Sequence, residues 1–286
     1  MNLGKLIIVG CIKNSEPYMA SINENLKRIE TLFDEVSYIF IENDSSDNTK
    51  LILSQWKRDK KNFDYFSLDG LENYEKSRTI RLEITRNGYI HKIKTQTKYH
   101  NYDYMMVVDL DDVFTQPLDL IEFENAVKFL NDRKSHAGVF ANQENNYYDL
   151  WALRHPEYCP NDFWHSVLKN AISGMSDEES FNLEFHKIPI KFPKNINPIE
   201  VNSAFGGLGI YKLDYVLNNT MPYLGHEYLF FGENSLNFTK LQTCEHVNFN
   251  RGIELQGGKL FIYSSLINVS EEIKTNPSAY RGIIIK

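Results

Sequence analysis

Cysteine is scarce: Cys11, Cys159 and Cys244 are the only three in 286 residues. An odd, widely spaced set excludes a disulfide framework and fits a reducing compartment. Long apolar runs are missing as well. The stretch LIIVGC is too short for a signal-peptide core, and no run approaches the roughly 20 residues that span a bilayer. Positive charge is in deficit, with 31 Lys and Arg against 38 Asp and Glu, a formal net charge of -7 and a pI near 5.7. That balance excludes a protein that grips nucleic acid by neutralising many phosphates. A small nucleotide needs only a local patch of Arg or Lys and is not excluded. Internal repeats and low-complexity linkers are also absent. The expectation is a soluble, cytoplasmic protein without a membrane span.

What is present is a 42% apolar chain, enough for a substantial core in one large domain or two small ones. KLIIVGC (5–11), VSYIFIE (36–42), NFDYFSL (62–68) and YMMVVDL (104–110) read as strands, the first two fully buried. Helical spacing fills the intervals: Pro17 to about Phe33, a helix to about Lys60 capped by Asp47 or Ser46, and a basic stretch over 75–99. A helix at about 119–133 and the strand HAGVF (136–140) follow. This alternation predicts an α/β fold with a mainly parallel central sheet and helices on both faces. After about residue 140 the rhythm breaks, with weaker strand signals at 208–212 and 259–265. We expect one domain over 1–286, with a nucleotide-type half at 1–135 and a less regular, mixed-sheet half at 136–286.

Ligands of open α/β sheets collect at the carboxyl ends of the strands. Three polar clusters fall there: Cys11, Lys13 and Asn14; Glu42, Asn43 and Asp44; Asp109, Asp111 and Asp112. Three carboxylates within four positions repel one another unless a cation sits between them. The next helix begins too far on for all three to serve as caps. Hard oxygen ligands suit Mg²⁺ or Mn²⁺ and leave coordination sites for substrate phosphates. Arg78, Arg81 and Arg86 recur at near-helical spacing and offer donors to a diphosphate, whereas Lys92 and Lys94 read as a solvated face. Gly206 and Gly207 lie outside any strand–GxGxxG–helix context and allow close backbone approach or a sharp turn. Glu245 beside His246 is either a base with an imidazole partner or the polar positions of a strand.

Taken in order, these pieces resemble the nucleotide-sugar-dependent glycosyltransferases of the GT-A fold, of the family-two-like and capsule type. ENDSSDNT is similar to their acidic loop DDGSxDxT, RNG to their Arg-Asn segment, and VVDLDDVF to their DxD motif. YYDLWALR, AFGGLGIYK and CEHVNFN resemble motifs of their second half, and the match covers most of 5–250. The resemblance implies a GT-A, Rossmann-like donor half and a mixed-sheet acceptor half. It implies a nucleotide-diphosphate sugar (UDP- or GDP-sugar) as donor, Mn²⁺ or Mg²⁺ as cofactor, and a hydroxyl of a glycan or glycoconjugate as acceptor. Cys11, Lys13, Asn14, Glu42 and Asp44 would line the base and ribose site, and Arg78, Arg81 and Arg86 would face the diphosphate or ribose. Asp109 and Asp111 would hold ribose and metal, Asp111 foremost, with Asp112 close by. Gly206 and Gly207 would admit the donor sugar. Trp151 and Asp149 would lie near the acceptor. Glu245 would be the general base, Asp149 the second choice, and His246 a metal ligand or acceptor contact. Glu42 stands where Asp is usual, Asp44 where Gly is usual, and Asp112 is extra.

Two other readings compete. A nucleotidyltransferase making a nucleotide sugar would show a Gly-rich basic loop after its first strand, and GCIKNSEPY is a poor one. A non-catalytic carbohydrate-binding module would have little use for the acidic ligands and Glu245.

Overall fold

Apolar, β-branched runs become the middle of a twisted sheet. In the computed structural model, which describes residues 2–188, 191–231, 237–269 and 277–285, four strands run parallel. They are β1 (Lys5–Ile12), β2 (Glu35–Glu42), β3 (Phe63–Ser67) and β4 (Tyr104–Val108), in the order β3-β2-β1-β4. The sheet then continues through the second half of the chain. β5 (His136–Gln143), β6 (Ile199–Val201) and β7 (Leu208–Lys212) belong to it, with β7 wedged antiparallel between β4 and β5. A separate hairpin of β8 (His226–Phe231) and β9 (Asn237–Gln242) follows. β10 (Lys259–Val269) pairs parallel with β5 and antiparallel with β6, closing an eight-stranded order β3-β2-β1-β4-β7-β5-β10-β6. A last strand, β11 (Ile284–Ile285), extends the hairpin on its β9 side.

Alternation along the strands divides the core into two layers. Leu6, Ile8, Phe40 and Met106 face α1 (Met19–Glu30), α2 (Thr49–Asp59) and, beyond α3 (Leu71–Tyr74) and α4 (Arg78–Thr95), also α5 (Leu120–Asp132). Ile7, Val9, Ile39 and Val107 face the other way, against Tyr89, Ile90 and Ile93 of α4. That second layer also takes in α6 (Phe163–Ile172), α7 (Asp177–Phe185), α8 (Leu213–Asn218) and α9 (Glu245–Glu254). Each fully buried side chain of this size contributes roughly 1.5–3 kcal/mol relative to exposure. The expected mainly parallel sheet with helices on both faces is therefore present.

Local differences have local causes. The 75–99 stretch splits into α4 and a short 3₁₀ turn at Thr97–Tyr99, and Asn48 rather than Ser46 or Asp47 is the α2 cap residue. Asp47 still serves that helix start, accepting from the Thr49 N–H at 3.0 Å and from the Glu16 N–H at 3.0 Å. CEHVNFN is the cap residue and first six residues of α9 and not a strand. Among the described residues, no helix is long and apolar enough to cross a membrane.

The β8–β9 hairpin is fastened to the body by an imidazole. His165 on α6 presents Nδ1 to the Glu227 carboxylate at 2.7 Å and Nε2 to the Gln242 carbonyl at 2.7 Å. Both partners only accept, so both ring nitrogens must donate and the ring must be cationic. Burial works against that charge, but the Glu227 carboxylate, Asp162 and the Gln242 carbonyl outweigh it and hold the imidazole above its ordinary range. Asp162 is itself paired with Arg154 at 2.6 Å. A group whose folded-state affinity for protons is raised contributes fully below its unfolded pKa, and that contribution fades as pH climbs through the folded value. Glu227 is half-exposed, so the clip is worth about 1 kcal/mol. We expect His165→Phe to melt a few degrees below wild type at pH 6, with the gap closing toward pH 9. A gap that stays constant across this range in thermal melts would refute the cationic clip.

Candidate active site

The carboxyl ends of β1, β2 and β4 open onto two adjoining cavities that share Arg78, Leu82 and Asp109. The outer cavity, about 230 Å³, is lined by Cys11, Lys13, Ser15, Asn43, Arg81 and Asp111 as well as the shared residues. The inner one, about 150 Å³, adds Tyr148, Asp149, Trp151, Phe205, Glu245 and His246. Strand ends deliver the first set because β1 and β4 pair in parallel register, bringing Cys11 and Asp109 out at the same edge. Burial pushes the Cys11 thiol up, and its Sγ donates to Thr85 Oγ1 at 3.1 Å, so it acts as a neutral wall.

The wall of the inner cavity holds a buried cation. Arg86, 2% exposed, donates through Nε to Glu245 Oε1 at 2.8 Å and through Nη2 to Asp109 Oδ1 at 3.1 Å. Its guanidinium carbon sits over the Phe205 ring at 5.1 Å and the Tyr223 ring at 5.9 Å, a cation–π sandwich. The resemblance has Arg86 facing the diphosphate or ribose; here its Nε and Nη2 hold α4, the end of β4 and the start of α9 together. Arg81 is likewise engaged, donating to the carbonyls of Glu75 at 2.9 Å and Lys76 at 2.6 Å. Arg78, exposed in the first turn of α4, has no hydrogen-bond or ion-pair partner among the described residues and faces both cavities.

Asp109 and Asp111 stand side by side on the outer wall. Burial and the neighbouring Asp109 charge raise the Asp111 carboxyl to about 7, and burial raises Asp109 too despite Arg86. Asp111 accepts one backbone bond, from the Val113 N–H at 3.2 Å, and caps the short turn Asp112–Phe114. Two desolvated carboxylates that resist ionising together are a donor set that fits a hard divalent cation, with a substrate's phosphates completing its shell. Among the described residues, no group of three or more His, Cys, Asp or Glu is placed to hold a metal by itself. Asp112 is exposed and lines neither cavity, and His246 is in the inner cavity while Asp111 lines the outer.

Other expected binders are wholly or partly engaged within the protein. Glu42 is fully buried, accepts the Ser45 N–H at 2.7 Å and lies 3.8 Å from Lys50; it is not part of either cavity wall. Asp44 sits at φ +54° and turns away to accept the N–H groups of Gly70 at 2.6 Å and Glu72 at 2.8 Å. Burial works to raise its carboxyl, yet those bonds win and leave it lowered. Asn14 bridges the β1 and β2 loops through Ser45 and Ser46. Lys13 lines the outer cavity while paired with half-exposed Glu72 at 2.5 Å. Gly206 (φ +64°) and Gly207 (φ +82°) are needed for packing. A Cβ would meet the Ala141 carbonyl at 2.7 Å at the first position, and Tyr148 Oη and Asn268 Nδ2 at 2.9 Å at the second.

The inner cavity carries the acid–base groups. Asp149 accepts from the N–H of Gly206 at 2.9 Å and of Ala152 at 3.3 Å, without a cationic partner, and burial raises it to about 6. Glu245, buried, is tied to Arg86 and lies 3.7 Å from His246. His246 stacks on Phe205 at 3.9 Å; burial and then the Arg86 charge hold its imidazole neutral. Tyr148 and Phe205 were missed as site residues, although each adjoins a quoted motif residue, Asp149 and Gly206.

No protein-family model matches the sequence, and no curated protein is detectably similar to it. Among solved structures, S. aureus TarS 1–349 in complex with UDP is 13% identical with TM-score 0.49, covering 92% of this chain. The mannosyltransferase PcManGT from Pyrobaculum calidifontis in complex with GDP-Man and Mn²⁺ is 12% identical with TM-score 0.49, covering 96%. The chain spans 59% of the length of each. Likeness of this degree carries no argument about chemistry, which rests on the residues above.

Removing the buried cation leaves two carboxylates uncompensated. Arg86→Met is expected to cost about 3–5 kcal/mol in urea unfolding, and adding Glu245→Gln should return part of that loss. An Arg86→Met chain as stable as wild type would remove the clamp from this account.

Proposed function

We propose that the protein transfers a sugar from a nucleoside-diphosphate sugar to a hydroxyl of a glycan acceptor. One observation carries this reading. Two joined cavities at one sheet edge place a carboxylate pair and a free arginine, Asp109, Asp111 and Arg78, beside a base-bearing aromatic chamber. On this reading 1–135 supply most of the donor wall and 136–286 most of the acceptor wall.

In the outer cavity Cys11, Lys13 and Asn43 take the base and ribose, while Asp109 and Asp111 would hold Mn²⁺ or Mg²⁺. When bound, such an ion offsets the negative charge that grows on the leaving diphosphate. Arg78 adds donors to the same oxygens at the point where the cavities meet. The acceptor oxygen bonds to the sugar carbon as the carbon–phosphate-oxygen bond breaks, and the electron pair leaves with the diphosphate. A base must take the acceptor proton. Asp149 fits that task better than Glu245, because its carboxylate is raised toward neutrality and lacks a cationic partner. Glu245 is committed to Arg86 at 2.8 Å, which suits it to positioning. A base in this place serves an inverting transfer.

UDP- and GDP-sugars should be hydrolysed slowly in the presence of Mn²⁺, and Asp111→Asn should abolish that turnover. Donor at about 100 times its Kd should also stabilise the fold by about 2.7 kcal/mol. If no nucleotide sugar is either hydrolysed or stabilising, the donor reading is wrong. Because Asp149 must be ionised, log kcat/KM should climb with unit slope to about pH 6 and then level off. Asp149→Asn should remove that step and lower kcat by about 10²–10⁴-fold. A profile unchanged in Asp149→Asn would hand the role back to Glu245.

A further inference from the structure

The two cavities ask different things of a ligand. Around the outer one, the cations Lys13, Arg78 and Arg81 outnumber Asp109 and Asp111. The inner one reverses this, with Asp109, Asp149 and Glu245 against Arg78 and Arg86. Arg86 is moreover already committed, to Glu245 at 2.8 Å and to Asp109 at 3.1 Å. An anionic group entering the inner cavity would face Asp149 with only Arg78, at the junction, to offset it.

Polar atoms in this wall also lack partners. His246 is 2% exposed, and neither of its ring nitrogens has a hydrogen-bond partner. Trp151 Nε1, in the same wall, is buried and unpaired too. Unpaired buried donors and acceptors are costly, and a ligand that pairs them recovers the cost. A neutral imidazole offers one donor and one acceptor, which is what a hydroxyl can answer, and Trp151 and Phe205 offer apolar ring faces.

We infer that the inner cavity takes a neutral, hydroxyl-bearing sugar ring, paired by His246, Trp151 and Asp149, and rejects rings carrying carboxylate or phosphate. Calling that ring the acceptor rests on the glycosyl-transfer reading; the charge selection does not. Neutral methyl hexopyranosides and their uronic-acid and 6-phosphate counterparts are the probes. Each is titrated against the full chain by saturation-transfer NMR, with UDP or GDP and Mn²⁺ present, and added to the donor-hydrolysis assay. The expected result is saturable binding of a neutral ring and faster release of nucleoside diphosphate. Charged counterparts should be at least about tenfold weaker, given carboxylate-to-anion repulsion in a partly desolvated site. Asp149→Asn should shrink that preference, whereas His246→Phe should weaken the neutral ring and leave the preference in place. Equal or better binding of the charged rings, or no binding of any neutral ring, overturns the inference. If donor is hydrolysed but no neutral ring binds, the inference fails and the transfer reading stands. If neutral rings bind but no donor does, the transfer reading fails and the charge selection stands.

Discussion

A single guanidinium organises this end of the molecule. Arg86 is buried, so its charge must be met inside the protein, and Asp109 and Glu245 meet it from the end of β4 and the start of α9. Those carboxylates in turn would be untenable so close together and so dry without it. The arrangement fixes three elements at once: α4 cannot rotate, β4 cannot slip in register, and α9 cannot fray without exposing an unpaired charge. Phe205 and Tyr223 close over the cation and exclude the water that would loosen the bonds. The inner cavity, and through Asp109 the outer one, thus inherits a wall that is set before any ligand arrives, which is the condition electrostatic catalysis needs.

That constraint also explains how similar residue types come to do different work. Arg78, Arg81 and Arg86 lie within three turns of one helix, yet one is free, one serves loop carbonyls and one is a buried strut. Asp109, Asp111 and Asp112 diverge in the same way, since only the first two face a cavity. Asp149 and Glu245 share the inner chamber, but the strut reaches only one of them, and the two carboxylates are pushed into different roles.

Legibility from sequence followed how locally each feature was written. The strands β1, β2 and β4 are buried on both faces, so their apolar runs announced them, and the acidic cluster was visible because it follows one strand. α9 was not, because only Phe249 and Ile253 of its six buried residues are apolar, while Glu245, His246, Asn250 and Gly252 are polar or small letters that mimic surface. The Arg86 bridge joins residues 23 and 159 positions apart, so no spacing rule could propose it. Glu42 and Asp44 were recognisable as strand-end carboxylates, but their direction was not. A positive φ at Asp44 turns its side chain toward 70–72, and burial hides Glu42 beneath its own loop. Orphaned ring nitrogens on His246 are likewise a property of packing, invisible in a dipeptide.

The antiparallel β7 has a wider meaning. Because it starts opposite Val108, where β4 ends, the chain that leaves β5 after Gln143 lays β6 along the far edge of the sheet and then returns at Leu208 beside β4 and β5. Tyr148, Asp149, Trp151 and Phe205 lie on the chain between those two strands, and so do α6 and α7, whose Phe163, Trp164, Val167 and Phe181 pack into the core. A close-packed interior feels even a one-methylene change in volume, so the inner cavity cannot be re-cut on its own. The inner chamber is in that sense mortared into the second layer, and to reshape it is to repack the helices behind it.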